Sequence, residues 1–364
     1  MDVIFAGGGT GGHLYPALAV ARAMVRLDPR VRPFFVGAER GIEKQLLPTT
    51  EFPFALFPLH PIYRSDIGRN WTGIRETLGS WSALGQAIRS RNPAVVVGTG
   101  GYASGMALAW AIANGIPTVQ TVADAIPGVT ARITARWAKA LYLGFGAAKE
   151  RLSAGNDTAV LVTGNPIEPP PTPRPDRLAA RQKFGLPADP TLQVVLAFGG
   201  SQGSEAINTA VGEWLSGPLP PTLRVIWAVG TRNYEALKIR ETEQVRVRAY
   251  LTPIAEAYAA ADLAITRAGA MTCAELCAWG LPAILIPLPT AAADHQTGNA
   301  RALVEAGAGE LLPQVDGFST RIGPAVARLL GNRGALALMA KRAVEIGRVD
   351  AAQVIAKDIL TRFT

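Results

Sequence analysis

The 364-residue chain is poor in several things that would have named a function at once. It has two cysteines, Cys273 and Cys277, four apart. Their spacing is not CxxC and no third cysteine could complete a metal site, so they read as two small apolar residues on a helix face. Such sparing cysteine use fits a reducing cytoplasm. No run of about 18 uncharged apolar residues occurs, so nothing is expected to span a bilayer. The opening run VIFAGG is short and broken by glycine, which argues against a secretory signal. No lysine-rich run or RNA-binding motif accompanies the positive charge, so no nucleic acid is expected as a partner. No Walker lysine follows any glycine turn, which argues against a P-loop kinase or ATPase. No DxD-type motif is present, so no tightly bound metal is expected. Only three histidines occur, His13, His60 and His295.

What is abundant is glycine (38) and proline (27), spread along a chain that is half hydrophobic. That suits an α/β protein with many tight turns, and the length suits two domains. The net charge is +8. Residues 1–164 hold 16 Lys+Arg against 10 Asp+Glu, or +6, and the remainder holds 20 against 18, or +2. The excess basicity therefore lies in the first half, where an anionic substrate or membrane surface would meet it.

The first half reads as repeated strand–turn–helix units. DVIFAGG, RPFFVGA, AVVVGTGG, TVQTVAD, ALYLGFG and AVLVTGNP read as strands, and HLYPALAVARAMVRL, WTGIRETLGSWSALGQAIRS, ASGMALAWAIANG and GVTARITARWA as helices. A loop-rich stretch precedes residue 70. PIEPPPTPRPDR, half proline, marks a linker and a domain boundary near residue 165. The pattern then restarts with QVVLAFGGSQGSEAINTAVGEWL, and residues 318–364 read as mostly helical. Alternation of this kind implies parallel sheets covered by helices. The expected architecture is two Rossmann-like domains, 1–164 and 165–340, facing each other across a cleft. Ligands would lie at the carboxyl ends of the strands.

Three glycine turns follow strands. GGGTGGH contains Gly7-x-Gly9-x-x-Gly12 ahead of a helix N-terminus, a setting for an anion. Glu39, near the end of the second strand, leaves a dinucleotide reading of this turn open. GTGGYASG (98–105) is the second turn. GGSQGS (199–204) is the third, and Ser201, Gln202 and Ser204 add side-chain donors suited to a diphosphate. Turns in both halves suggest two phosphorylated ligands, one per domain.

GGGTGGHLYPALAVA, GAERGIEKQLLP, GTGGYASG, TGNP, GGSQGS, ITRAGAMTCAEL and DHQTGNARAL fall in this order over about 300 residues. Together they resemble the MurG family of glycosyltransferases. The resemblance implies a GT-B fold, with the last helix (about 341–364) packing back on the first domain. It implies inverting transfer of N-acetylglucosamine from UDP-N-acetylglucosamine to the 4-hydroxyl of lipid I, giving lipid II for peptidoglycan synthesis. It implies no cofactor beyond the sugar-nucleotide substrate, a peripheral place on the cytoplasmic face of the cell membrane, and contact with other cell-wall synthesis proteins. A diacylglycerol glycolipid synthase, a UDP-sugar epimerase and an NAD-dependent oxidoreductase are the alternatives.

By that resemblance His13 is the candidate general base. Thr10, Gly11, Gly12, Ser201, Gln202, Gly203, Ala270, Met271 and Thr272 fall in donor-binding loops. Arg267 either assists the diphosphate or forms a salt bridge within its domain. Glu275 would accept the ribose hydroxyls, Gln296 and Asn299 would meet the sugar, and Tyr250 and Leu251 the uracil. Gly98, Thr99, Gly100, Gly101 and Tyr102 form the acceptor and phosphate loop. Asp124 stands where the family often has asparagine, and either hydrogen-bonds a hydroxyl or shares base duty with His13. Glu168 replaces the basic residue often found after TGNP. Trp71, Ile74, Leu78 and Trp81 recur along one helix face with arginines around them, and read either as membrane contact or as a core-facing stripe.

Overall fold

The computed structural model describes residues 1–59, 79–200 and 203–364. The chain divides into two compact units, Met1–Glu168 with Val349–Thr364, and Pro169–Arg348. The division falls inside the proline-rich stretch.

In the first unit, seven strands form one sheet: β1 (Asp2–Gly7), β2 (Arg32–Ala38), β3 (Phe54–Phe57), β4 (Val95–Gly100), β5 (Thr118–Val122), β6 (Ala140–Leu143) and β7 (Ala159–Val162). Their order is β3-β2-β1-β4-β5-β6-β7, and every pairing is parallel. Val3, Ile4, Phe5 and Ala6 are all fully buried, which is why β1 is a continuous apolar run with no alternation. The helices are α1 (Gly11–Leu27), α2 (Glu43–Leu46), α3 (79–89), α4 (Gly101–Ala113) and α5 (Val129–Thr134). α1 begins two residues before His13, so Pro16 lies buried inside it. β3 lies in the stretch expected to be loop. FALF is four residues between Pro53 and Pro58 at the sheet edge, too short to show a period.

In the second unit, β8 (Gln193–Phe198), β9 (Leu223–Ala228), β10 (Val245–Arg248), β11 (Leu263–Thr266), β12 (Ala283–Leu285) and β13 (Glu310–Leu311) pair in the order β10-β9-β8-β11-β12-β13, again all parallel. The helices are α6 (Arg177–Lys183), α7 (Glu205–Trp214), α8 (Thr231–Leu237), α9 (Ile254–Ala260), α10 (Ala270–Trp279), α11 (His295–Glu305), α12 (Ser319–Gly331) and α13 (Arg333–Ile346). Cys273 and Cys277 are buried on α10, and burial pushes the Cys277 thiol up to about 12.

Residues 341–348 stay with the second unit, and α14 (Ala351–Phe363) belongs to the first. Ala352, Ile355, Ala356 and Ile359 join the α1 residues Ala17, Val20, Ala21 and Met24 in one buried cluster. The Tyr142 hydroxyl donates to Asp358 at 2.8 Å, and Arg362 holds the same carboxylate at 2.6 Å. Burial pushes the Tyr142 phenol up, with Asp358 adding to it.

Each sheet reverses its strand order once beside its first strand, between β1 and β4 and between β8 and β11. Loops leaving neighbouring strands diverge at such a switch point and open a crevice at the carboxyl ends. Two of the glycine turns follow β1 and β4, and the third follows β8.

Candidate active site

At the first switch point the two glycine turns touch. Thr99, buried, donates its hydroxyl to the backbone oxygen of His13 at 2.8 Å. Gly8 N–H reaches Gly100 O at 3.4 Å. Gly101 has φ +80°, and a Cβ there would lie 2.2 Å from Gly8 O, so a side chain would force the turns apart. The ring of Tyr102 lies against Gly9, where a Cβ would be 3.1 Å from it. Gly98 packs against Leu108 and Ser104.

His13 is half-buried in the first turns of α1. Its Nδ1 lies 3.0 Å from Gly8 O and 3.3 Å from the Thr10 hydroxyl. A carbonyl oxygen only accepts, so the neutral tautomer that satisfies Gly8 carries its proton on Nδ1 and its lone pair on Nε2. That is the form a general base requires. Gly11 and Gly12 open α1 beside it. Asp124 is half-buried just after β5. The loop it sits in is held from behind, where the buried Asn165 of TGNP donates to Ala123 O at 3.0 Å. Thr10, Gly11, Gly12 and Asp124, expected at the donor, thus all lie in the first unit, while the other described donor residues lie in the second.

Glu43 is a residue that sequence reasoning passed over in favour of Glu39. Glu39 is exposed, whereas Glu43 is fully buried. Its Oε1 accepts from Gly9 N–H at 2.9 Å and Ala38 N–H at 3.2 Å. Its signal was GAERGIEKQL itself: Gly37, Gly41 and, from the first turn, Gly8 leave the room it fills. A Cβ at Gly8 would lie 1.6 Å from Oε1, and one at Gly41 1.8 Å from Oε2.

At the second switch point the loops after β8 and β11 are joined by a buried cation. Arg267 donates to Ser204 Oγ at 2.8 Å and to Ile286 O and Pro287 O at 3.1 Å each. Among the described residues no carboxylate pairs with it, and burial lowers its pKa. The salt-bridge reading is therefore not met. The Ser204 hydroxyl also caps α7 through Ile207 N–H. Gly203 turns at φ +75° against Val229 O. Ser201 and Gln202 lie outside the described residues.

Behind Arg267, α10 starts at Ala270, with Met271 and Thr272 half-buried in its first turn. Glu275 lies one turn further on, and its Oε2 accepts from Tyr258 on α9 at 2.7 Å. Burial raises the Glu275 carboxyl pKa, while the tyrosine opposes the rise. Tyr258 is itself buried and its phenol pushed up. It was invisible in the sequence because it lies 17 residues upstream. Tyr250 is half-exposed and Leu251 buried in the loop after β10. Gln296 accepts from Leu288 N–H at 3.0 Å. Asn299 does not take the place expected at the sugar: it is fully buried and donates to Ala268 O at 3.1 Å, so it braces the Arg267 loop from inside.

Of the tryptophan stripe, Trp71, Ile74 and Leu78 lie outside the described residues. Trp81 is half-buried on α3 and packs against the cluster of Ile4, Phe34, Leu84 and Ile88, so part of its ring serves the core. No helix among the described residues is long and apolar enough to cross a membrane.

Two Rossmann-like units, each with a glycine turn at its switch point, place the chain in the GT-B fold class. The chain matches the glycosyltransferase family 28 N-terminal domain over residues 3–143 and the C-terminal domain over 194–359. It is 41% identical to the UDP-N-acetylglucosamine--N-acetylmuramyl-(pentapeptide) pyrophosphoryl-undecaprenol N-acetylglucosamine transferase of Carboxydothermus hydrogenoformans, over 98% of this chain and 96% of that one. It is 38% identical to the protein of the same name from Salinibacter ruber, over 98% and 96%. A crystal structure of Acinetobacter baumannii MurG superposes with a TM-score of 0.76 at 26% identity, covering 99% of each chain. The chain belongs to the MurG family of family 28 glycosyltransferases.

Proposed function

We propose that this protein transfers N-acetylglucosamine from UDP-N-acetylglucosamine to the 4-hydroxyl of the muramoyl sugar of lipid I, with inversion, forming lipid II. The observation that carries the reading is His13 at the first switch point, its Nδ1 3.0 Å from Gly8 O, in a chain whose full-length relatives bear that activity in their names.

His13 Nε2 takes the proton of the acceptor hydroxyl as its oxygen bonds to the anomeric carbon. The bond from that carbon to UDP breaks with its electron pair, through an oxocarbenium-like transition state. Charge grows on the departing diphosphate, where Arg267, the Gly203 turn, Ser201 and Gln202 stabilise it. Arg267 costs no new desolvation at that moment, because it is already buried and oriented by three acceptors. Glu275 accepts from the ribose, Tyr250 and Leu251 flank the uracil, and Gln296 meets the sugar.

The lipid acceptor brings the basic first unit to an anionic membrane surface on the cytoplasmic side, with Trp71, Ile74, Leu78 and the exposed part of Trp81 at the contact. Other cell-wall synthesis proteins are its expected neighbours there. The deciding experiment follows labelled N-acetylglucosamine from its UDP donor onto a lipid I analogue, with diacylglycerol in parallel. Product on the lipid I analogue alone supports the assignment. Product on diacylglycerol alone moves the protein to glycolipid synthesis. The membrane arm is read by vesicle co-sedimentation, and a Trp71/Trp81 double substitution that binds anionic vesicles as well as the wild type removes it.

A further inference from the structure

Gly8 O and Gly9 N–H are the two ends of one peptide group. His13 Nδ1 sits on the oxygen at 3.0 Å, and the Glu43 carboxylate sits on the N–H at 2.9 Å. We propose that Glu43 is a positioning residue that acts on His13 through the Gly8–Gly9 peptide, a carboxylate–peptide–imidazole relay. The inference rests on His13 being the general base.

A carboxylate beside a peptide N–H pushes electron density toward the carbonyl oxygen at the other end. The oxygen becomes a stronger acceptor for Nδ1–H, because hydrogen bonds in a chain polarise one another. The imidazolium that forms during transfer is then stabilised, and the tautomer is fixed before substrate arrives. A carboxylate touching imidazole directly does the same for many metal-bound and catalytic histidines; here one rigid peptide stands between them.

The setting of Glu43 aims its carboxyl at the turn. It is fully buried, its Oε2 has no hydrogen-bond partner, and no cation pairs with it among the described residues. What favours the carboxylate form is the pair of backbone N–H groups, of Gly9 and Ala38, that Oε1 accepts from. The chain keeps glycine at positions 8 and 41, where any side chain would displace the carboxylate.

Other titratable groups near these loops are Tyr15, whose ring lies against Gly11, Tyr102 against Gly9, and Asp124 after β5. Glu39, Arg40 and Lys44 neighbour Glu43 in sequence. Among these, Asp124 and Glu39 are the carboxyl groups, and each is controlled for in the test.

The test is the pH profile of kcat/KM for transfer to the lipid I analogue, in wild type, Glu43→Gln and His13→Ala. Glu43→Gln keeps an acceptor for Gly9 N–H and removes the charge. The relay predicts unchanged UDP affinity, a plateau several-fold lower, and an acid limb moved down by roughly half a pH unit, because His13 becomes a weaker base. The shift persists when Asp124→Asn or Glu39→Gln is the background. A fall in rate with the limb unmoved makes Glu43 a brace and overturns the relay. Near-normal turnover in His13→Ala instead overturns the base reading beneath it. If Glu43→Gln does not fold, the wild type still decides. With three histidines, nitrogen-15 spectra of the rings assign His13 by difference from His13→Ala. A neutral ring protonated on Nε2 overturns the proposal, and one protonated on Nδ1 supports it.

Discussion

Removing the Glu275 carboxylate tests the donor site most directly. Two ribose hydroxyls donating to the half-buried Glu275 carboxylate would make charge-assisted bonds, each contributing about 1.5–3 kcal/mol net. Glu275→Ala gives up most of this, so about 2–4 kcal/mol of UDP affinity is lost, or roughly 30- to 1000-fold at tenfold per 1.4 kcal/mol. Tyr258→Phe leaves the charge and removes only the hydroxyl that holds Oε2 at 2.7 Å. A cost of about 1 kcal/mol, close to fivefold, is expected from lost orientation. Because Tyr258 works through Glu275, the double variant binds UDP no worse than Glu275→Ala, within about 0.5 kcal/mol. Calorimetric titration of UDP into the four proteins completes the cycle. UDP affinity within threefold of wild type in Glu275→Ala would refute the ribose assignment. A Tyr258→Phe penalty that survives intact in the Glu275→Ala background would show that the tyrosine acts elsewhere.

The raised Glu275 carboxyl gives a pH signature with two signs. UDP affinity should fall on acidification at a higher pH than an ordinary glutamate would cause, and this slope should vanish in Glu275→Gln. Without UDP, a raised folded pKa means that the native state holds the proton better than the unfolded chain. This group's stabilisation is therefore full below its unfolded value of about 4.3 and lost as pH rises through the folded one; thermal unfolding against pH, compared with Glu275→Gln, reads it. Gly101→Ala must place a Cβ 2.2 Å from Gly8 O at φ +80°, a strain of about 1–3 kcal/mol. Transfer should drop at least tenfold while UDP affinity, read by titration, stays unchanged. Ile355→Ala, fully buried between α14 and α1, should cost about 2–5 kcal/mol, and Tyr142→Phe about 1 kcal/mol, both measured by denaturant unfolding.

The strand–glycine–helix rhythm was readable because each link has a local cause. Buried parallel strands are short apolar runs, and the turns after β1, β4 and β8 need glycine for close backbone approach. β3 escaped because FALF has no room between prolines to display a period. The roles of buried polar residues were harder to read, since they depend on partners far away in sequence. Glu43 looks like one more charge at the start of a helical stretch until Gly8, 35 positions earlier, is seen to make room for it. Tyr258 reads as core until Glu275 is found on it. The resemblance puts Asn299 at the sugar, whereas its full burial and its bond to Ala268 O tie it to the scaffold. Arg267 could be paired or unpaired on sequence alone; only the three acceptors around it decide.

Apart from the added edge strand β7, the two sheets share one strand order, and what separates their proposed roles is the sign of the charge behind each switch point. In the first unit the adjoining turns meet through backbone and glycine, and on the proposed relay the buried group behind them is the Glu43 carboxylate. In the second the adjoining loops meet on the Arg267 cation. A buried charge is expensive in either place, so its sign is informative about what the site must stabilise. A cation at β8 and β11 suits a diphosphate whose negative charge grows as the bond to sugar breaks. An anion beneath β1 suits a group that becomes positive, the imidazole accepting a proton. On the proposed mechanism, the same reversal of strand order would serve leaving-group stabilisation in one unit and proton abstraction in the other. An Arg267→Met variant should accordingly lose UDP affinity with the acid limb of transfer unmoved, and Glu43→Gln should do the opposite.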